Sequence, residues 1–76
     1  MNDKMKTVLV FKTSVSNNGK VQGLAPFLNR LINTNGRWNF DLEDCDNILR
    51  VETESPDVIA IASLLQKQGF LCEELH

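Results

Sequence analysis

The sequence predicts an α+β domain of the split β-α-β type, with two helices on one face of a four-stranded antiparallel sheet. Two segments alternate apolar and polar residues, two others repeat apolar residues at three- and four-residue spacing, and turn-forming residues separate them. Their order is strand, helix, strand, strand, helix, strand. A chain of 76 residues has room for one core. We therefore expect one domain over residues 1–76, with an ordered core over about residues 6–75.

The first strand is predicted over residues 6–13. Apolar or β-branched side chains occupy both of its faces, with Thr7, Leu9 and Phe11 on one and Val8 and Val10 on the other. A β-branched run of this kind is typical of a central strand. Residues 14–20 are mostly Ser, Asn and Gly, which favour turns and helix starts. We expect a loop there that leads into the first helix.

The first helix is predicted from an apolar stripe at helical spacing. The stripe consists of Val21, Leu24, Leu28 and Leu31, with Ala25 and Ile32 beside it. A proline inside a helix costs about 3 kcal/mol, because it lacks an N–H and clashes with the preceding turn. Two starts fit this pattern: near Gly23, with Pro26 in the first turn, or near Gly19, with a kink. We favour the later start, and we expect residues 33–36 to end the helix.

A period of two begins at Arg37 and predicts a central hairpin. The inward positions of its first strand are Trp38, Phe40 and Leu42, and the outward positions are Arg37, Asn39, Asp41 and Glu43. Residues 44–47 form the predicted turn. The next strand continues with Leu49, Val51 and Thr53 inward and with Arg50 and Glu52 facing water. The two aromatic side chains are therefore assigned to the core, and an RNA-stacking surface is disfavoured.

The second helix is predicted to start at Ser55-Pro56, because Ser accepts free N–H groups of a first turn and Pro fits the first helical position. Asp57 in that turn favours the positive end of the helix dipole. The buried stripe is Val58, Ile61, Ala62 and Leu65, widened by Ile59 and Leu64. Gly69 is placed to cap the helix. Residues 70–75 form a short, acidic edge strand with Glu73 and Glu74.

Two right-handed β-α-β crossovers predict the sheet order four-one-three-two. Three connections then meet at one end of the domain: residues 14–20, 44–47 and 68–70. We call these three segments the tip. Loops held on a rigid scaffold carry most binding function, so the tip is the predicted site of partner contact. Its candidate contact residues are Ser14, Val15, Ser16, Asn17, Asn18, Lys20, Cys45 and Phe70.

Composition and charge oppose several functional classes. Eight basic and ten acidic residues, net charge -2, disfavour a broad phosphate-binding surface and hence nucleic acid. The apolar run at residues 8–11 is too short for a signal peptide or a membrane helix. Cys45 and Cys72 are too few for a disulfide framework, and free thiols suit a reducing compartment. We expect a cytoplasmic protein without membrane or nucleic-acid contacts.

Residues for catalysis or cofactor binding are also few. His76, the only histidine, ends strand four opposite the tip and is assigned to a solvated terminus, so no other imidazole is left for a Cys-His or Ser-His pair. Gly19-Lys20 precedes a helix, but Ser14 and Val21 replace the first glycine and the hydroxyl of a phosphate-binding loop. Weak anion capture at that helix start stays open. An ordinary acidic hairpin explains the carboxylates Asp41, Glu43, Asp44 and Asp46. We predict no enzymatic activity and no cofactor.

Three short segments resemble the heavy-metal-associated domain family of copper chaperones and metal-pump modules. They are Phe40-Asp-Leu-Glu-Asp44, Ser55-Pro56 and Gln68-Gly-Phe-Leu71. The resemblance spans about residues 6–75 and implies a ferredoxin-like fold. The family's activity requires Met-x-Cys-x-x-Cys in the first loop, where two thiolates bind Cu(I) or a similar soft ion. Residues 15–20 align with that motif, and Asn17 and Lys20 replace its cysteines. The resemblance thus implies the fold and removes the expected metal transfer.

Three functional hypotheses follow. The first is a non-enzymatic binding or regulatory module that has lost the soft-metal site and uses the tip or an edge strand to contact a partner protein or a second copy. The second is metal trafficking with Cys45 as the sole soft ligand and a second thiolate from a partner or a second copy. Cys72 belongs to the other half of the sheet, too far away to share an ion. The third is a dimeric small-ligand sensor.

Overall fold

The predicted alternation along the strands produces one sheet with one apolar face. The computed structural model describes residues 6–32, 36–43 and 45–75. Its elements are β1 Thr7–Thr13, α1 Asn18–Ile32, β2 Gly36–Asp41, β3 Ile48–Thr53, α2 Val58–Lys67 and β4 Cys72–Glu74. All strand pairs are antiparallel, in the order β2-β3-β1-β4. The predicted ferredoxin-like order β-α-β-β-α-β and the predicted sheet order are both confirmed.

The core lies between the sheet and the two helices. In the central pair of strands Phe11 lies opposite Leu49, and both side chains are fully buried. Both helices cover this same face, since their buried side chains join one cluster with the inward residues of β1 and β3. The helix residues of that cluster are Leu24, Leu28, Ile32, Ile61 and Leu65. One shared core holds all of the layers together.

Helix α1 begins earlier than we predicted. The side-chain oxygen of Asn17 accepts the Lys20 N–H at 2.9 Å, and its carbonyl accepts the Val21 N–H at 3.2 Å. Asn17 therefore caps a helix in which Pro26 is an interior residue. The predicted start near Gly23 is wrong, and the alternative near Gly19 is correct to within one residue. The added turns pack Val21 against the core, which offsets the penalty of the proline.

Two apolar side chains predicted on the helix stripes face solvent. Leu31 is 43% exposed and Ile59 is 79% exposed. Successive helical residues are about 100° apart, so Ile32 and not Leu31 continues the row of Leu28 onto the sheet. Ile59 lies two residues before the buried Ile61, on the far side of α2. The predicted stripes were therefore wider than the faces that the sheet covers.

The start of α2 also differs from the prediction. Asp57 is its N-cap, and the carboxylate accepts the Ala60 N–H at 3.0 Å. Ser55 and Pro56 precede the helix, and the Ser55 N–H donates to the Thr53 hydroxyl. Asp57 is the cap because it lies three positions before Ala60, whose N–H in the first turn has no partner within the helix. The prediction that the helix starts at Ser55-Pro56 is wrong by two residues.

The end of α2 is as predicted. Gly69 has a φ of +92°, which glycine adopts without a side-chain clash. Its N–H donates to the Gln66 carbonyl, and the Phe70 N–H donates to the Leu65 carbonyl at 2.9 Å. This pair of bonds is a Schellman cap. The cap turns the chain directly into β4.

The segment between α1 and β2 is described only from Gly36. Residues 33–35, which we expected to end the helix, lie outside the described residues. Gly36 is the first residue of β2, and a Cβ there would collide with the Glu52 carbonyl oxygen and press on Ile32. This glycine is required by the close approach of two strands and a helix.

Strand β2 presents its aromatic side chains to the core, as predicted. Trp38 and Phe40 pack against the buried cluster, with ring centroids 6.0 Å apart and ring planes at 77°. The indole N–H of Trp38 donates to the Asn29 side chain on α1 at 2.9 Å. Arg37 and Asn39 face solvent on the other side of the strand. The prediction of core packing for the two aromatic residues is confirmed.

Candidate functional site

The tip is assembled around the end of β1. The Thr13 N–H donates to the Asp46 carbonyl at 3.2 Å, and its hydroxyl donates to the Asn47 carbonyl at 2.7 Å. The same hydroxyl accepts the Val15 N–H at 3.1 Å. Thr13 is buried, so these bonds are shielded from water. One threonine thus ties the first loop of the tip to the hairpin connection.

Asn47 adopts a backbone conformation that suits this junction. Its φ is +49°, in the left-handed region that asparagine tolerates better than most residues. The chain turns sharply there and enters β3 at Ile48. The carbonyl of Asn47 is thereby aimed at the Thr13 hydroxyl.

Ser14 ties the first loop to the chain that enters β4. Its N–H donates to the Leu71 carbonyl at 3.2 Å, and its hydroxyl accepts the Leu71 N–H at 2.9 Å. The backbone bond extends the antiparallel pairing of Thr13 with Cys72 by one position, and the Ser14 hydroxyl accepts the Leu71 N–H beside it. The three connections that we predicted to meet are therefore joined by hydrogen bonds at Thr13 and Ser14.

Leu71 is the functional candidate that the sequence analysis missed. Its side chain is 76% exposed, next to the tip, although both of its backbone polar groups are bonded to Ser14. The signal available in the sequence for its exposure was the period-two pattern of residues 70–72. Phe70 and Cys72 both turn towards the core, so the residue between them must point outward.

The predicted contact residues divide by exposure. Those with exposed side chains are Ser16, Asn17, Asn18, Lys20 and Cys45. Ser14 is half-buried, and Phe70 packs partly against the core. The prediction that Val15 contacts a partner is wrong, because its side chain is fully buried in the core cluster and presents no surface. Val15 continues the inward phase of Leu9, Phe11 and Thr13, which carries its side chain into the core.

Asn17 and Lys20, which the resemblance aligns with the cysteines of the heavy-metal-associated family, have other roles in this structure. The amide oxygen of Asn17 is engaged in capping α1. The Lys20 ammonium lies 3.4 Å from the Ser16 hydroxyl and carries a positive charge at the helix start. An amide oxygen is a hard ligand and an ammonium group has no lone pair to offer, so neither suits a soft cation.

The two cysteines have opposite environments. Cys45 is exposed in the hairpin connection, whereas Cys72 is 8% exposed and forms part of the core. Burial raises the pKa of the Cys72 thiol from the ordinary value of 9.0 to about 11. Both thiols are free. Only Cys45 is accessible to a partner or a reagent.

The acidic residues near the tip are partly neutralised by neighbouring cations. Asp46 lies 3.7 Å from the Lys12 ammonium, and Asp41 lies 3.9 Å from the Arg50 guanidinium. Within residues 6–32, 36–43 and 45–75, no three His, Cys, Asp or Glu side chains cluster closely enough to hold a metal ion. Asp44 and His76 lie outside the described residues. These carboxylates are those of a charged hairpin.

An open groove of about 430 Å³ lies on the outer side of the helix pair. Its walls are apolar, with basic side chains at the rim: Phe27, Leu31, Leu64, Arg30 and Lys67. Its lining contains no carboxylate, thiol or imidazole, and Ser63 and Lys67 contribute a hydroxyl and an ammonium group.

Comparison with family models, with curated proteins and with solved structures finds no match for this chain. The resemblance to the heavy-metal-associated family therefore stays a prediction. In the described part of the chain, neither helix combines the length and the apolar character needed to cross a bilayer.

Proposed function

We propose that this chain is a non-enzymatic protein-binding module, built on a heavy-metal-associated-like scaffold whose first loop no longer handles soft metals. The contact surface is the tip together with Leu71. One observation carries the proposal: Leu71 exposes 76% of its side chain while Ser14 bonds both its N–H and its carbonyl. Removal of exposed apolar surface from water is the main favourable contribution to most protein–protein association.

The rigidity of this frame matters for affinity. A partner that covers Leu71 gains about 1.5–3 kcal/mol from burial of the side chain. Little of that gain is lost to ordering the backbone, because Ser14 already fixes it. The neighbouring part of the tip carries exposed polar residues, Ser16 in the loop and Asn18 and Lys20 in the first turn of α1, which suits the polar rim of an interface.

The loss of metal handling follows from the groups present in the first loop. Two thiolates would be needed to bind Cu(I) there, and an amide and an ammonium stand in their places. The amide of Asn17 is already committed to the helix cap, and the charge of Lys20 repels a cation. A scaffold that keeps the tip but changes its chemistry is best suited to contact.

A matched pair of variants tests the contact surface. Leu71→Asp places a charge at the proposed anchor, and Ile59→Asp places the same charge at an equally exposed position on α2. Proteins retained by the immobilised wild-type chain from its own cell extract would be identified by mass spectrometry. We expect a specific partner to be lost from Leu71→Asp and kept by Ile59→Asp. Equal retention by both variants would overturn the proposed surface.

Titration with Cu(I) or Zn(II), followed by NMR, tests the second part of the proposal. We expect no stoichiometric shifts in residues 14–20. Tight binding with shifts centred on that loop would show that the loop still binds a metal ion, which would contradict the proposal. The two experiments are independent, because the first examines protein contact and the second examines the ion.

One observation favours a second candidate function. Cys45 is exposed in the tip, where its thiol is open to an ion held jointly with another chain. In this alternative a second thiolate comes from a partner or a second copy. Metal-induced dimerisation that disappears in Cys45→Ser would support it, and an unchanged response in that variant would remove it.

A further inference from the structure

Strand β2 is one edge of the sheet, and its free side is available for pairing. The directions of its backbone groups follow from the hydrogen bonds of β1. The Leu75 N–H donates to the Val10 carbonyl at 2.8 Å, so the polar groups of Val10 point towards β4. These groups alternate in direction along a strand, so those of Leu9 point towards β3 and meet Val51.

The same alternation continues across the sheet. Since Val51 points towards β1, Arg50 points towards β2, where it lies opposite Asn39. Asn39 uses its backbone groups in that pair, so Trp38 and Phe40 direct their N–H and carbonyl groups away from the sheet. Among the described residues no strand pairs with this side of β2. At this edge Trp38 and Phe40 therefore each direct a backbone N–H donor and a carbonyl acceptor towards a further strand.

The side chains of this edge are self-complementary. From Arg37 to Asp41 the order is cation, aromatic, amide, aromatic, anion. Placed against itself in antiparallel fashion about Asn39, the strand sets Arg37 opposite Asp41 twice and Trp38 opposite Phe40 twice. Asn39 then faces its own copy. Opposite charges and aromatic pairs directly opposite each other on neighbouring strands are both favourable.

We propose that two copies of this chain pair through their β2 edges, about a two-fold axis at Asn39, and form one continuous eight-stranded sheet. Trp38 and Phe40 of opposite copies form the hydrogen-bonded pairs, because their backbone groups point outward. Arg37 and Asp41 occupy non-hydrogen-bonded pairs, where opposing side chains lie closest. The interface is isologous, as a two-fold dimer requires.

The charges at this edge are accessible to a second copy. The Arg37 side chain is 77% exposed and lies 3.1 Å from Glu52, and the Asp41 side chain is 39% exposed beside Arg50. Pairing of the two copies joins the Arg37–Glu52 ion pair of one copy to the Asp41–Arg50 ion pair of the other. The result is one row of charges that alternate in sign across four strands. Networks of this kind are more favourable than isolated surface pairs.

The charges also select one register. A shift of two residues is the smallest that keeps every side chain on its own face of the sheet. Such a shift sets Asn39 against Arg37 or against Asp41, and no opposite charges then face each other within Gly36–Asp41. Only the pairing centred on Asn39 satisfies both charges. This surface differs from the tip, so the dimer does not rest on the function proposed above.

Charge reversal tests both the dimer and its register. Arg37→Asp alone sets Asp against Asp, and Asp41→Arg alone sets Arg against Arg, so each purified variant should be monomeric. A mixture of the two restores both opposite pairs and should dimerise. Arg30→Asp changes the charge equally on the side of α1 that faces α2, and it should dimerise like the wild type.

Sedimentation equilibrium at up to millimolar concentration provides the readout. The wild-type mass should rise from 8.6 kDa towards twice that value. A wild-type mass that stays at 8.6 kDa overturns the proposal, and so does a wild-type-like dimer in both single variants. Variants that are folded by NMR yet stay monomeric when mixed would refute the register.

Amide exchange on the wild-type chain keeps the test independent of variant folding. In the proposed dimer the Trp38 and Phe40 N–H groups are bonded between copies, and in the monomer they face water. Their hydrogen exchange should slow as concentration rises, while the exchange of Asn39, bonded within the sheet, changes less. Exchange of Trp38 and Phe40 that does not depend on concentration would overturn the interface even if every variant failed to fold.

Discussion

At the residue scale, the environment of each cysteine decides its chemistry. Cys72 faces the core from β4, where the charged thiolate would lose its hydration. Cys45 lies in an exposed connection. Thiol reagents attack the thiolate, so Cys45 is the residue that reagents and oxidants reach first.

The raised pKa of Cys72 predicts a loss of stability at alkaline pH. The folded thiol ionises near pH 11, whereas the unfolded thiol ionises near 9.0. Stability is therefore fully present below pH 9 and is lost as pH rises towards 11, by about 2 kcal/mol. Urea unfolding of the wild type and of Cys72→Ala across this range measures the effect. A difference between the two free energies of unfolding that stays constant would contradict it.

Two glycines provide a matched comparison of close approach. A Cβ at Gly36 collides with the Glu52 carbonyl oxygen, whereas a Cβ at Gly23 has no neighbour within 4 Å. We expect Gly36→Ala to lower the free energy of unfolding by about 1–3 kcal/mol. Gly23→Ala should raise it by up to about 1 kcal/mol, because alanine favours the helix interior. Thermal unfolding distinguishes the two, and similar changes in both variants would refute the steric argument.

At the scale of elements, local hydrogen bonds determine where each helix begins. Asn17 and Asp57 cap α1 and α2, and each accepts an N–H three residues later. Both residues are types that cap helices, but residue propensity alone favoured helix starts at Gly23 and Ser55. The difference arose because a cap is chosen by geometry among several suitable residues in a short stretch.

The caps of α2 predict unequal effects of two neighbouring substitutions. Asp57→Ala removes the acceptor of the Ala60 N–H and should cost about 0.5–2 kcal/mol. Ser55→Ala should cost much less, because Ser55 contributes its backbone N–H to Thr53 and does not cap the helix. Chemical denaturation of both variants measures this. A larger loss in Ser55→Ala would mean that the helix begins where the sequence pattern suggested.

At the scale of the whole molecule, two surfaces with different chemistry are proposed on one scaffold. The tip offers an apolar anchor at Leu71, and the β2 edge offers paired charges and backbone groups. Leu71 directly precedes β4 and the proposed dimer uses β2, and these two strands are the opposite edges of the sheet. Binding of a partner and of a second copy is therefore compatible.

This arrangement predicts that the two surfaces can be separated by mutation. Leu71→Asp should abolish partner capture and leave the dimer mass unchanged, and Arg37→Asp should do the reverse. Sedimentation and pull-down measurements on the same preparations test this. If either substitution abolished both activities while the chain remained folded, the two surfaces would have to be one.

The sequence by itself determined the order of elements, the central position of β1 and the inward face of each strand. These features depend on residue periodicity, which is local and can be counted. Trp38, Phe40, Leu49 and Val51 were placed correctly for that reason. Gly69 was also identified correctly, because glycine adopts a positive φ at a helix end with less strain than other residues do.

Only the tertiary structure decided which side chains the sheet covers and which backbone groups meet at the tip. The exposure of Leu31 and Ile59 depends on how each helix is rotated against the sheet. The bonds between Ser14 and Leu71 join residues 57 positions apart. Such contacts depend on the packing of distant segments, which no local pattern of residues encodes.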